Sequence, residues 1–415
     1  MGAKRASQDK LFSLYSSGLE TRRDAWCYNV SKPELSKNVQ QMISFFNHES
    51  TRFKASHSAL ELEKRAEIVG GFISNDSTKI KWSEDLIAGV AKFESREFYG
   101  NEIIRSTYRP FTKSWLYSDN SLIWSKYRMP AIFPSDVANL AIFVSGPGAK
   151  SSFTSLLISD PVCRDAVEKG YCFPLYVHEK RDAEASVDLF GAKEEVSERA
   201  RRDGITDAGL KHFQDAYPGE EIKKEDLFYY VYGLLHSEDY RAKYADNLSK
   251  QLPRIPRVKT AADFWAFSRA GRELGDLHVN YETVEPYPVT IKQGDLRLAD
   301  IKNPEAFYRV TKWAFGKAGK EKDKTTVIYN ANITMQDIPL EAYDYVVNGK
   351  PALEWVMERQ VVKVDKDSGI ENDANRYAIE TMYNPAYPLE LFQRVITVSL
   401  RTMEIVRGLP KLEAM

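Results

Sequence analysis

The chain has 415 residues, enough for two or three domains with ordinary hydrophobic cores. Its 58 Lys and Arg against 59 Asp and Glu nearly cancel, so the overall field favours neither nucleic acid nor membrane, and any polyanion site must come from local clustering. Three cysteines (Cys27, Cys163 and Cys172) without C-x-x-C spacing, and six scattered histidines, predict a reduced cytoplasmic protein without structural zinc. No apolar run approaches the roughly eighteen residues that span a bilayer, and the opening M-G-A-K-R-A-S has no secretory h-region.

Along the chain, Pro33 to Phe46 places Leu35, Val39, Met42, Ile43 and Phe46 on one helical face, which predicts a helix packed on a core. From about 68 to 178, short β-branched and aromatic runs such as A-I-F-V-S at 141–145 and F-P-L-Y-V at 173–177 predict a mixed sheet with short helices. The stretch 179–222 is charged and poor in large apolar residues, and reads as a linker or mobile excursion. Leu227, Tyr230, Val231, Leu234 and Leu235 share a helical face, Ser237 opens a further helix, and Thr260 with Asp263 forms a capping-box-like start for another. P-V-T-I at 288–291 and T-T-V-I-Y at 325–329 read as strands, with Asn348-Gly349 as a tight turn. Pro351 and Pro388 suit first helical positions and Gly408 a helix end. The expected class is α+β: a mixed short-stranded sheet region, then helical bundle segments and a second small sheet, then C-terminal helices. The expected division is 1–178, the linker 179–222, and 223–415.

Matches to catalytic motifs fail on spacing. Gly146-Pro147-Gly148-Ala149-Lys150-Ser151 sets its glycines too close for G-x-x-x-x-G-K-S/T and predicts a turn after a strand. Asp365-Lys366-Asp367-Ser368-Gly369 resembles a calcium loop, but its glycine comes early and Arg376 stands where a bidentate Glu is needed, so it reads as an Asx-rich turn. Asn384-Pro385-Ala386-Tyr387 lacks the second proline of the N-P-P-Y loop with which adenine methyltransferases hold a flipped base, and no Gly-rich cofactor loop precedes it.

Basic clusters remain. Arg309 to Lys324 carries Arg309, Lys312, Lys317, Lys320, Lys322 and Lys324 against Glu321 and Asp323, interleaved with Trp313 and Phe315. Two glycines near its centre favour a strand-loop-strand whose lysines reach phosphates and whose Arg309 reaches a base edge; a solvated hairpin is the other reading. A second cluster, Arg105, Arg109, Lys113, Lys126 and Arg128, lies among Tyr108, Phe111, Trp115, Trp124 and Tyr127, a pattern that suits nucleic acid or a core with arginines stacked on rings. Arg22 and Arg23 form the third.

Several long stretches, in order, resemble the C-terminal part of type ISP restriction–modification enzymes: D-L-F-Y-Y-V-Y-G-L-L-H-S-E-D-Y-R at 226–241, L-P-R-I-P at 252–256, V-V-N-G-K-P-A at 346–352, D-K-D-S-G-I-E-N-D-A-N at 365–375 and P-L-E-L-F-Q-R-V-I-T-V-S-L at 388–400. G-L-E-T-R-R-D-A-W-C-Y at 18–28 resembles the junction just beyond the methyltransferase core in those polypeptides, which also carry nuclease and helicase regions. The resemblance implies a target-recognition region, itself without catalysis, that reads double-stranded DNA beside the methyltransferase and helicase regions. It implies no cofactor in this chain; S-adenosylmethionine, ATP and Mg belong to the full enzyme. The DNA-contacting candidates are Arg309, Lys312, Lys317, Lys320, Lys322 and Lys324, with Arg22, Arg23, Arg105, Arg109, Lys113 and Arg128 second. Two other classes stay open: a structural module coupling methyltransferase to motor, and a stand-alone DNA-modifying enzyme.

Overall fold

The computed structural model describes residues 10–180, 199–296 and 300–415. The expected first helix is α1 (Lys32–His57), with Pro33 in its first turn and the Ser31 hydroxyl accepting from the Glu34 amide at 3.3 Å. Its five predicted face residues are all buried. Two shorter helices, α2 (Leu62–Phe72) and α3 (Glu84–Ala91), follow, and then the antiparallel hairpin of β1 (Ile103–Arg109) and β2 (Thr112–Tyr117).

The centre of the molecule is an antiparallel sheet of β3 (Ala141–Val144), β4 (Ser155–Ile158) and β5 (Tyr171–Pro174), with β3 in the middle and Ser16–Ser17 added at the far edge of β5. Successive side chains of a strand point to opposite faces, and here both faces are covered. Ala141, Phe143, Leu156, Ile158 and Cys172 enter one core, whereas Ile142, Val144, Leu157 and Phe173 enter another. This is why A-I-F-V reads as an unbroken apolar run without alternation.

Next come β6 (Tyr176–Lys180) and β7 (Arg199–Asp203), paired as a two-stranded antiparallel ribbon, and α4 (Asp207–Gln214), capped by Thr206, whose hydroxyl accepts from the Gly209 amide at 2.9 Å. The stretch expected to be a linker over 179–222 is thus folded from residue 199 onward, and its Phe213, Tyr217 and Ile222 lie in the second core. They escape a periodicity reading because charged residues separate them and only tertiary contact unites them. Residues 181–198 of that expected linker lie outside the described residues. The packing does not divide at 178 and 223 either: the first core runs from Leu19 to Val398 and the second from Leu11 to Leu274.

Helices α5 (Lys224–His236) and α6 (Ala261–Val279) cover the second face of the sheet. They touch backbone to backbone, because a Cβ at Gly233 would lie 2.1 Å from the Phe267 carbonyl oxygen and one at Gly271 1.9 Å from that of Tyr229. Beside the crossing, the Tyr232 hydroxyl accepts from the Leu157 amide at 2.8 Å and meets His278 Nδ1 at 2.6 Å, while His278 Nε2 meets the Thr402 hydroxyl at 2.9 Å. One buried chain of polar groups therefore ties α5, α6 and β4 to the C-terminal helix.

The second small sheet holds β8 (Thr290–Ile291), β9 (Ala314–Ala318), β10 (Glu321–Ile328) and β11 (Thr334–Gln336) in the order β8-β11-β10-β9. It rests on the first core through Val327 and Met335, with Trp313 against Tyr329 and Phe392. Asn348 and Gly349, with φ +49° and +76°, form the expected tight turn. The chain ends in α7 (Ala352–Arg359), α8 (Ala374–Glu380) and α9 (Tyr387–Arg407); Pro388 sits in the first turn of α9, while Pro351 falls one residue ahead of α7. No helix among the described residues is long and apolar enough to cross a membrane.

Two outcomes follow from the α5–α6 crossing. Gly271→Ala must push the helices apart, so its chemical unfolding midpoint should correspond to a loss of about 3 kcal/mol, the upper part of the overpacking range; a loss under about 0.5 kcal/mol would contradict backbone contact. Burial, with the Arg241 charge, lowers His278 to about 3, and burial also holds His236 well below the usual range. The unfolded chain therefore takes up protons that the folded chain refuses as pH falls from about 6.5, and stability is lost toward acid. His278→Gln should make the pH dependence of unfolding free energy between 6 and 4 shallower by at most about 1.4 kcal/mol per pH unit.

Candidate nucleic-acid interface

The lysine-rich segment folds as expected into a hairpin of β9 and β10, turned at Gly319 (φ +66°) and Lys320. Its register sets Lys317 directly opposite Lys322 and Ala318 opposite Glu321. Two ammonium groups across a ladder repel and cost stability. Lys312, Lys317, Lys320 and Lys322 are all exposed, and none has an ion pair among the described residues; Lys322 Nζ hangs 5.7 Å from the Phe315 ring. Lys324 behaves differently, since its Nζ pairs with Glu354 at 2.9 Å and sits over Tyr343 at 5.1 Å, fastening the hairpin to α7.

Arg309 is also an anchor. Its guanidinium pairs at 2.8 Å with Asp373, which is 4% exposed and caps α8 through the Asn375 amide, and Asn375 in turn clasps both backbone groups of Val310. The side chain expected to reach a base is held by a buried carboxylate.

The second set separates into interior and surface. Arg23 is wholly buried: its guanidinium donates to the Leu122 carbonyl and Ser83 hydroxyl and lies 3.2 Å from Asp85. Arg109 donates to the Tyr108 carbonyl at 2.7 Å and Cys163 Sγ at 3.3 Å, and Lys113 pairs with Glu282 at 2.7 Å. Arg105 donates to the Tyr377 hydroxyl at 3.1 Å beside the same Glu282. All four cations are taken up by protein partners, Arg23 in the interior and Arg105, Arg109 and Lys113 half-buried; R-R-D and R-P-F spacings alone do not supply that distinction. Arg22 and Arg128 do reach the surface. Arg22 lies 3.3 Å over the Trp124 ring, and Glu20 accepts from Arg22 at 3.3 Å, Arg164 at 2.9 Å and the Tyr127 hydroxyl at 2.9 Å. Arg22 and Tyr127 both hold left-handed backbone, φ +59° and +46°.

The motif-like turns are occupied by the protein's own groups. In the Gly146 turn, the Glu168 carboxylate accepts from the Ser151 and Lys150 amides and the Ser151 hydroxyl at 2.7–2.9 Å, contacts that hold its carboxyl below the usual range. Asp365 accepts from the Ser368 amide and hydroxyl in the turn before Gly369. Asn384 accepts from the Ala386 amide at 3.0 Å and donates to Glu390 at 3.0 Å, which makes N-P-A-Y a pre-helix turn. Among the described residues no group of three or more His, Cys, Asp or Glu could hold a metal ion.

The sequence reading missed the cationic strand R-A-R-R-D, which is β7. No apolar alternation marks R-A-R-R-D, in which only Ala200 is uncharged, and its strand character comes from pairing with Y-V-H-E-K.

The type ISP C-terminal specificity domain profile matches residues 10–391. No curated protein sequence matches the chain. Among solved structures, a nuclease-deletion mutant of the type ISP enzyme LlaGI with a DNA substrate mimic has TM-score 0.80 and 34% identity over 99% of this chain. The ATP-dependent type ISP enzyme LlaBIII bound to DNA has TM-score 0.81 and 30% identity over 100%, and a DrdV–DNA complex 0.78 and 30% over 99%. The chain spans 29%, 24% and 37% of those three polypeptides. Matched by the profile over nearly its whole length, and by structures of this kind from end to end, the chain belongs to the type ISP C-terminal specificity domain family.

Proposed function

We propose that this chain reads duplex DNA for a type ISP restriction–modification enzyme, with Lys312, Lys317, Lys320 and Lys322 on phosphates. The observation that carries this reading is the opposed Lys317–Lys322 pair, exposed and without ion pairs among the described residues, in a chain similar to enzymes solved on DNA. Each phosphate taken up offsets the repulsion between the ammonium groups and releases condensed counterions. Phosphate contacts fix register and orientation but carry no sequence information by themselves; polar groups of the adjoining sheet supply that. Arg22 and Arg128 are the remaining surface candidates of the second set.

The chain performs no catalytic step in this reading. S-adenosylmethionine, ATP and Mg act in the methyltransferase and helicase regions of the parent enzyme, and the protein works in the cytoplasm. The support is chemical: the turns that resemble cofactor loops are filled by Glu168 and by the Asn384–Glu390 contact.

Duplex binding by the chain should fall steeply with salt. With about four to six phosphate contacts the log-log slope is roughly −4 to −5. A flat salt response would favour the module that couples methyltransferase to motor. Replacing Lys312, Lys317, Lys320 and Lys322 by Ala should weaken binding to all sequences alike and make the slope shallower by about one unit for each phosphate no longer neutralised, whereas Lys324→Ala leaves the slope alone. Arg309→Ala should act first on stability, lowering the unfolding free energy by about 1–3 kcal/mol because it leaves the buried Asp373 carboxylate without its cation. Calorimetry of S-adenosylmethionine with the chain should give no heat of binding; saturable heat that disappears in Asn384→Ala would reinstate the tetrapeptide as a cofactor loop.

A further inference from the structure

The β6–β7 ribbon sets Tyr176 opposite Asp203, His178 opposite Arg201 and Lys180 opposite Arg199. Residues directly opposite in an antiparallel pair share a face, so Lys180, Arg199 and Arg201 gather on one side with His178 and Tyr176. Lys180 and Arg201 are exposed and have no ion pair among the described residues. The Arg201 guanidinium lies 4.5 Å over the Tyr176 ring, which fixes its plane. The carboxylates at the margins are engaged elsewhere or with the rearmost cation: Asp203 meets Lys224 at 3.0 Å, and Asp136 meets Arg199 at 3.3 Å. His178 is 3% exposed, yet its Nε2 has no hydrogen-bond partner among the described residues.

Lys180 opposite Arg199 sets cation against cation as Lys317 does opposite Lys322, on a separate ribbon and with Asp136 beside Arg199 only, so that Lys180 and Arg201 are the two exposed cations of this face without an ion pair among the described residues. An anion on this face would relieve the repulsion, and a two-stranded antiparallel ribbon is one of the few shapes that fit along a duplex groove. We propose that this face of β6–β7 is a second contact for the DNA backbone, with Lys180 and Arg201 each on a phosphate and Tyr176 orienting the guanidinium. The proposal rests on the reading of the chain as a DNA-binding region and adds an arm that the lysine hairpin does not supply.

The test is the salt dependence of binding to a labelled random-sequence duplex, measured for the 415-residue chain, for Lys180→Ala with Arg201→Ala, and for the charge-preserving Lys180→Arg with Arg201→Lys. The alanine pair should make the log-log slope shallower by about two units, one per phosphate, and the charge-preserving pair should restore it. A parental slope in the alanine pair overturns the ribbon proposal and leaves the hairpin reading standing. A shallower slope that the charge-preserving pair fails to restore also overturns it, because the effect is then one of folding. A parent chain with no salt-dependent binding overturns both.

Discussion

Burial of both faces of the β3–β5 sheet is the constraint on which the rest of the molecule depends. A small antiparallel sheet usually keeps one wet face. Here one face enters the core that also holds residues of α1, the β1–β2 hairpin and the C-terminal helices, and the other is covered by α5 and α6. The two cores therefore grow from one wall, and each draws on distant parts of the chain. The Gly233–Gly271 contact lets α5 and α6 lie close enough to seal their side, and the Tyr232–His278–Thr402 chain locks that layer to α9. Buried polar groups at such a junction have to be satisfied together, since a partly satisfied network costs more than an apolar one.

This framework explains why the proposed interface is built from ribbons. Both the β6–β7 pair and the β9–β10 hairpin extend from sheets whose anchoring residues are buried, Val177 in one and Val327 in the other. Their outer ends carry cations set against cations. Most other basic residues of the clusters have partners: Arg23, Arg109, Lys113, Lys324 and Arg309 all stabilise packing through carboxylates, hydroxyls or carbonyls. The near-zero net charge thus conceals a division between cations held by protein partners and a few near strand ends, Lys180, Arg201, Lys317 and Lys322, that have no ion pair among the described residues.

Features fixed by neighbours in sequence were legible. The α1 and α5 faces follow from spacing, Ser237 and Thr260 cap helices through the Tyr240 and Asp263 amides, and Asn348-Gly349 turns where its φ preference demands. Features fixed by contacts between distant residues were not. Nothing in R-R-D tells which arginine turns inward; the answer lies with Leu122 and Ser83. Arg309 looks like any basic residue of its cluster until Asp373 is brought beside it by the fold. Phe213, Tyr217 and Ile222 sit too sparsely among charges to signal a helix and loop that belong to a core. The long family-like stretches carried the functional assignment further than composition could, because the charge count alone excluded no partner.

The most direct test of the central claim is lysine-reactivity footprinting of the chain with and without duplex DNA at low salt. The account predicts that acetylation of Lys317, Lys320 and Lys322 falls sharply when DNA is bound, while Lys54 on α1 reacts equally in both states. Equal labelling of the hairpin lysines with and without bound DNA would contradict it.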